Sequence, residues 1–182
     1  MSQRCDWPGD DAAMIAYHDH DWGTPTTDAR VLFEALTLES AQSGLSWKTI
    51  LNKREGYRRA FHDWEIERIA ALTEAEIESL AQNPEIVRHR GKIESTVVNA
   101  QAVLNLQRQG LDVADIVWAY VDGEGTLLSR ELKRRGFRFV GPTTCNSFME
   151  AVGIVNHHDP ICFRYEEVER LRDTLLKDRS SV

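Results

Sequence analysis

At 182 residues the chain is longer than domains that need a metal or disulfide merely to hold together, and its 42% hydrophobic and 28% charged content is that of an ordinary globular protein. No apolar run could span a bilayer, the start Met1-Ser2-Gln3-Arg4-Cys5 lacks the stretch of a secretory signal, and three cysteines make no paired disulfide framework. These features predict one soluble domain in the cytoplasm, and a net charge of -7 argues against a generic polyanion binder.

Taken in order, the elements are almost all helical. Asp28 reads as an N-cap, and the helix after it carries Leu32, Ala35, Leu36 and Glu39 on one stripe. An acid projecting with apolar side chains either pairs with an arginine or amide inside the core or faces a ligand. Gly44 and Leu45 end that segment, Ser46 caps the next, and Trp47 supplies a large flat ring beside the acid. Trp47, Ile50, Leu51, Tyr57 and Phe61 trace one stripe, and Ile66, Ile69 and Ala70 another. Thr73 with Glu76 forms a capping box, and Asn83-Pro84 breaks the helix that follows. Ile93, Val97, Ala100 and Leu104 define a long helix ending near Gln109, just before Gly110. Asp122 to Gly125 is a loose connection, and Val168, Leu171 and Leu175 mark a last amphipathic helix fraying at Ser180-Ser181-Val182.

Two basic clusters stand out on the acidic chain. Arg88, His89, Arg90 and Lys92 form one; Lys133, Arg134, Arg135 and Arg138 form the other, around a glycine turn. Each is either a phosphate dock or a solvated face. Between Ser129 and Gly153 a basic helix should stop at Gly136, Phe137-Arg138-Phe139-Val140 should turn, and Gly141-Pro142 should open the next helix with proline at its first position. Such a helix-hairpin-helix can grip a DNA phosphate with free backbone amides; the alternative is an ordinary helical hairpin whose phenylalanines plug the core.

Cys5 and His18 near the start and His158 and Cys162 near the end make a set with zinc-binding chemistry. The spacing of Cys5 and His18 is no compact zinc-finger knuckle, His157 competes with His158, and unrelated buried thiols and histidines remain an alternative. Four such ligands would close a structural site with no position left for water. A zinc deaminase is disfavoured, because its His-x-Glu and Pro-Cys-x-x-Cys pattern is absent. Cys145 is expected to pack in the core.

Arg4-Cys5-Asp6-Trp7, Tyr17-His18-Asp19, Asp21-Trp22-Gly23, Leu38-Glu39 through Leu45-Ser46-Trp47, Arg88 through Ile93, Gly136-Phe137, Phe139-Val140-Gly141 and Val155-Asn156 with His158 occur in one order. Together, from residue 4 to about 162, they resemble the DNA-3-methyladenine glycosylase I family. The resemblance implies an all-α helix-hairpin-helix DNA glycosylase fold with one structural zinc (Zn2+) joining the terminal segments through Cys5, His18, His158 and Cys162. It places the pocket acid on Glu39, stacking rings on Tyr17 and Trp47, and Trp7 and Trp22 close by. DNA contacts are expected at Gly136, Phe137, Gly141, Arg88, Arg90 and Lys92.

The implied reaction excises 3-methyladenine from double-stranded DNA. Methylation makes the base a cation, so its bond to deoxyribose is weakened and little acid catalysis is needed once the nucleotide is everted. No lysine in the matched pocket segments presents itself as a nucleophile, although Lys48 is near, so a monofunctional enzyme acting as a monomer is expected. A noncatalytic zinc-stapled lesion-binding module is the alternative. A glycosidase of ordinary sugars lacks an obvious second carboxylate, since Glu34 should face elsewhere on its helix.

Overall fold

A computed structural model describes residues 3–121 and 123–180. The expected turn at Asp122 and the terminal residues Met1, Ser2, Ser181 and Val182 thus fall wholly or partly outside the described residues. Eleven α-helices are present among those described: α1 (Ala12–His20), α2 (Ala29–Gln42), α3 (Trp47–Leu51), α4 (Arg54–Ala60), α5 (Ile66–Ala70), α6 (Glu74–Gln82), α7 (Arg90–Arg108), α8 (Val113–Trp118), α9 (Gly125–Arg134), α10 (Pro142–Ala151) and α11 (Tyr165–Ser180). A short 3-10 turn, His62–Trp64, lies between α4 and α5. The one β feature among the described residues is a parallel bridge between Gln3 and Cys162, which brings the two ends of the chain together.

The local chemistry sets most boundaries. Asp28 accepts from the amides of Arg30 and Val31, Ser46 accepts from that of Thr49, and Thr73 and Glu76 exchange both bonds of a capping box. Gly110 and Gly136 lie just past their helices at φ +72° and +92°, where a side chain would be strained. The stripe from Trp47 to Phe61 runs over two helices, α3 and α4, and the basic helix that stops before Gly136 begins at Gly125, whose amide donates to Asn146 Oδ1.

Helix α2 lies at the centre of the core. It packs against α3, α7, α8 and α10, and its second half is buried from Leu36 to Ala41. Its C-terminal carbonyls are held from α7: Lys92 Nζ donates to Ala41 and Ser43 at 2.8 and 2.7 Å. That ammonium complements the negative end of the helix and satisfies two carbonyls that α2 leaves open. The turn between α9 and α10 docks on the same pair of helices. Asn99 of α7 donates to the Arg138 carbonyl and accepts from its amide, and Ser40 Oγ of α2 sits 3.0 Å from the Phe139 carbonyl.

A Lys92→Met substitution keeps the stem and removes the donor, leaving both carbonyls unpaired. Urea denaturation should show a loss of about 2 kcal/mol; an unchanged midpoint would mean that water replaces the ammonium at no cost.

Candidate active site and metal centre

Glu39 projects from the buried half of α2 and is 7% exposed, yet its carboxyl makes no hydrogen bond to another described residue. Burial, followed by the nearby charge of Glu150, pushes it up to about 8 from an ordinary 4.5, so the proton-bound form prevails at neutral pH. The group faces open space. Two cavities of about 280 and 290 Å³ meet at Glu39, Tyr17 and Trp47, and a third recess reaches Glu39 from the loop at Gly44 and Leu45.

Aromatic rings wall the space. The Tyr17 and Trp47 centroids are 5.1 Å apart at 41°, and Trp7 and Trp22 line the larger cavity, 5.1 Å from each other. Tyr17 is buried and its phenol is raised well above its usual range, by burial first and then by Glu39. Its ring also meets the Arg54 guanidinium, which is held by Glu34 and Asp21 at 2.6 and 2.7 Å. A flat, electron-rich slot with a neutral acid at its wall suits a planar cationic ligand.

Sequence reasoning did not find two of these contributors. Glu150 lines the larger cavity from α10, with His157 Nδ1 3.0 Å from its Oε1. Its signal was the i,i+3 pair Ser147 and Glu150, both at the cavity, on a helix whose Cys145, Phe148 and Met149 are buried. Arg54 carried no signal, because its partners come from distant segments. Glu34, expected to face elsewhere, lines the smaller cavity together with Glu39.

Cys5, His18, His158 and Cys162 come together, their ligand atoms all within 4.8 Å of one another, and could hold a metal ion. The choice between the adjacent histidines is resolved: His158 is buried in the cluster, whereas His157 is exposed beside Glu150. The unused ring nitrogens are oriented. His18 Nδ1 lies 2.7 Å from Asp19, itself held to about 2 chiefly by its bond to Arg4, and His158 Nε2 lies 3.3 Å from the Trp22 carbonyl. Outer contacts of this kind fix the tautomer and aim the other nitrogen at a metal. Gly23 is required here: a Cβ would come within 2.9 Å of His158 Nε2, and its φ is +77°.

The expected DNA-contacting residues divide. Gly136 and Gly141 flank the α9–α10 turn at the surface, but Phe137 is a core residue and it is Phe139, at φ +55°, that is exposed. Arg88 is exposed and makes no ion pair among the described residues. Arg90 is bound by Glu74, Glu78 and Glu94, and Lys92 is buried on α2, so neither guanidinium nor ammonium is free for phosphate. In the second cluster Arg134 and Arg135 share Glu131, while Lys133 and Arg138 are exposed and make no ion pair among the described residues.

An all-helical fold with an aromatic slot and an unpartnered acid has the form of a DNA glycosylase. The chain belongs to the methyladenine glycosylase family, whose model matches residues 7–127 and 123–165. It is 42% identical to DNA-3-methyladenine glycosylase 1 of Escherichia coli (strain K12), an alignment covering 90% of this chain and 97% of that protein. A solved structure of 3-methyladenine DNA glycosylase I superposes with a TM-score of 0.86 at 47% identity, over 88% of this chain and 98% of the other. A variant of such an enzyme in complex with 3-methyladenine superposes at 0.84 with 37% identity, over 89% and 97% of the two chains.

The buried acid has a measurable signature. Its value in the fold is above the ordinary 4.5, so the stabilisation is complete below 4.5 and is lost as pH rises through about 8. Thermal melts should show wild type losing stability relative to Glu39→Gln across that window; parallel pH profiles would place an ionised carboxylate in the folded state.

Proposed function

We propose that the chain is a monofunctional base-excision repair glycosylase that everts 3-methyladenine from alkylated double-stranded DNA and hydrolyses its N-glycosidic bond, leaving an uncut abasic site. The carrying observation is the unpartnered Glu39 carboxyl in the cavities that Tyr17 and Trp47 also line. The methylated nucleotide carries its positive charge on the base, and departure as a neutral molecule relieves it. One face of the base lies on the aromatic wall that Tyr17 and Trp47 form together, with Trp7 and Trp22 at its edge. Burial keeps Glu39 proton-bound, so its hydroxyl donates to a ring nitrogen of the base and its carbonyl oxygen accepts from the exocyclic amino group. Water then adds to the sugar carbon as the base leaves.

Several observations support the details. Among the described residues no lysine lines the three recesses that share Glu39, and Lys48 is exposed with its Nζ 2.7 Å from Asp11. A covalent sugar adduct therefore has no amine to form on. The α9–turn–α10 unit serves as the helix-hairpin-helix, with the α10 N-terminus and the cations of Arg88, Lys133 and Arg138 toward the DNA backbone. Pro142 at the first position of α10 has no amide to offer, so phosphate is gripped by the amides after it. The reading takes the chain as one domain working as a monomer in the cytoplasm; no helix of the described residues is long and apolar enough to cross a membrane.

We assign the metal as one structural zinc. Cys162 Sγ lies 3.6 Å from His18 Nε2 and 3.7 Å from His158 Nδ1, and Cys5 Sγ lies 3.6 Å from His158 Nδ1. A tetrahedron with zinc–ligand distances of about 2.0–2.3 Å has edges of roughly 3.6 Å. Burial holds His158 at about 4, a neutral imidazole suited to ligation. When bound, zinc supplies a cross-link between the ends of the chain, and the four ligands leave no place for a reacting water.

Wild type should release free 3-methyladenine from methylated duplex DNA. Glu39→Gln should slow single-turnover release by about tenfold to a hundredfold, and Trp47→Ala should weaken base binding to a similar degree, as loss of about 1–3 kcal/mol of stacking implies. Binding without release by the unaltered chain would make it a lesion-binding module instead. Borohydride should trap no enzyme–DNA adduct. Elemental analysis should find one zinc per chain, absent from Cys162→Ser, which should melt at lower temperature while any folded fraction retains base binding; full metal content in that variant would remove Cys162 from the ligand set.

A further inference from the structure

The larger cavity has an electrostatic property beyond its aromatic walls. Its titratable lining groups are Tyr17, Glu39, Glu150 and His157, and no lysine or arginine lines it. Arg54, which meets the Tyr17 ring and lines the adjoining cavity, is already bound by Glu34 and Asp21. Two carboxyl groups from separate elements, Glu39 of α2 and Glu150 of α10, thus share one volume with no fixed cation between them.

Their surroundings separate their tasks. Glu39 is buried without a partner and stays proton-bound. Glu150 is partly open to water, with a side chain 29% exposed, and the His157 contact at 3.0 Å holds it in place. Glu39 is thus the enclosed member of the pair, and Glu150 the member in contact with water and with His157. Glu150 is also the one charge that raises Glu39, with burial the larger cause.

We propose that Glu150 is a specificity-determining residue, whose carboxylate makes the aromatic cavity select bases with a formal positive charge over neutral bases of similar shape. This deepens the excision reading and rests on it. The rings alone would stack any purine, because every base has a π-face. A fixed negative charge at the rim distinguishes an alkylated, cationic nucleobase from the far more abundant neutral adenine, and it does so before any bond breaks. In this division Glu39 reads hydrogen-bonding pattern and Glu150 reads charge.

Binding of small probes separates this from the chemistry. Trp7, Trp22 and Trp47 line the cavity, so quenching of intrinsic fluorescence reports occupancy. The probes are 3,9-dimethyladeninium, a permanent cation with a methyl where the sugar attaches, and neutral 9-methyladenine. Glu150→Gln should weaken the cation about tenfold and leave the neutral probe within about twofold, and Glu150→Asp, which keeps the charge, should retain most of the preference. Equal weakening of both probes would show a packing role, and an unchanged preference would show that Glu150 does not read charge; either result overturns the proposal. Release of 3-methyladenine from methylated duplex by the wild-type chain is scored separately. If release occurs while Glu150→Gln keeps the full cation preference, this inference fails and the excision reading stands.

Discussion

Keeping an acid in a dry place without a partner is the constraint around which the molecule is arranged. A carboxyl group that neither pairs nor hydrates is tolerated only in its neutral form, and only if its support cannot collapse onto it. Helix α2 meets that demand by being enclosed along its second half and fastened at its end by Lys92. Its neighbours leave the space beside Glu39 open because their large rings abut each other in tilted and edge contacts instead of filling it.

The same helix links the slot to the exposed turn between α9 and α10. Ser40, one residue after Glu39, contacts the turn between α9 and α10, and Asn99 on α7 holds that turn from the other side. The turn and the acid of the slot are therefore both tied to α2, and α7 holds α2 and the turn alike. The cations of the basic clusters divide: Arg90, Arg134 and Arg135 are committed to carboxylates, whereas Arg88, Lys133 and Arg138 are exposed and make no ion pair among the described residues.

What sequence reading captured is local chemistry. Caps at Asp28, Ser46 and Thr73, the stops at Gly110 and Gly136, and proline opening α10 all act within a few residues, so each is visible in order along the chain. Glu39 was visible because it breaks an apolar stripe, and the cysteine and histidine quartet because few residue types bind metals. The roles of Arg90, Lys92 and Arg54 were not, because a cation reads the same whether solvated or engaged by a partner 20 or 50 residues away. Phe137 and Phe139 are likewise two apart and alike in type; only the left-handed turn at Phe139 decides that one is inside and the other outside. Glu150 looked like one more surface glutamate until α10 was laid against α2.

Trp22 joins the two halves of the molecule's chemistry. Its indole lies 6.1 Å from the His18 ring and 4.6 Å from that of His158, its carbonyl faces His158, and its other side lines the larger cavity. The cysteine and histidine cluster, which could hold a metal ion, and the slot thus share Trp22 as a common wall. Each thiol of that cluster contacts the His158 ring and that ring contacts Trp22, so only two side chains separate either cysteine from the slot.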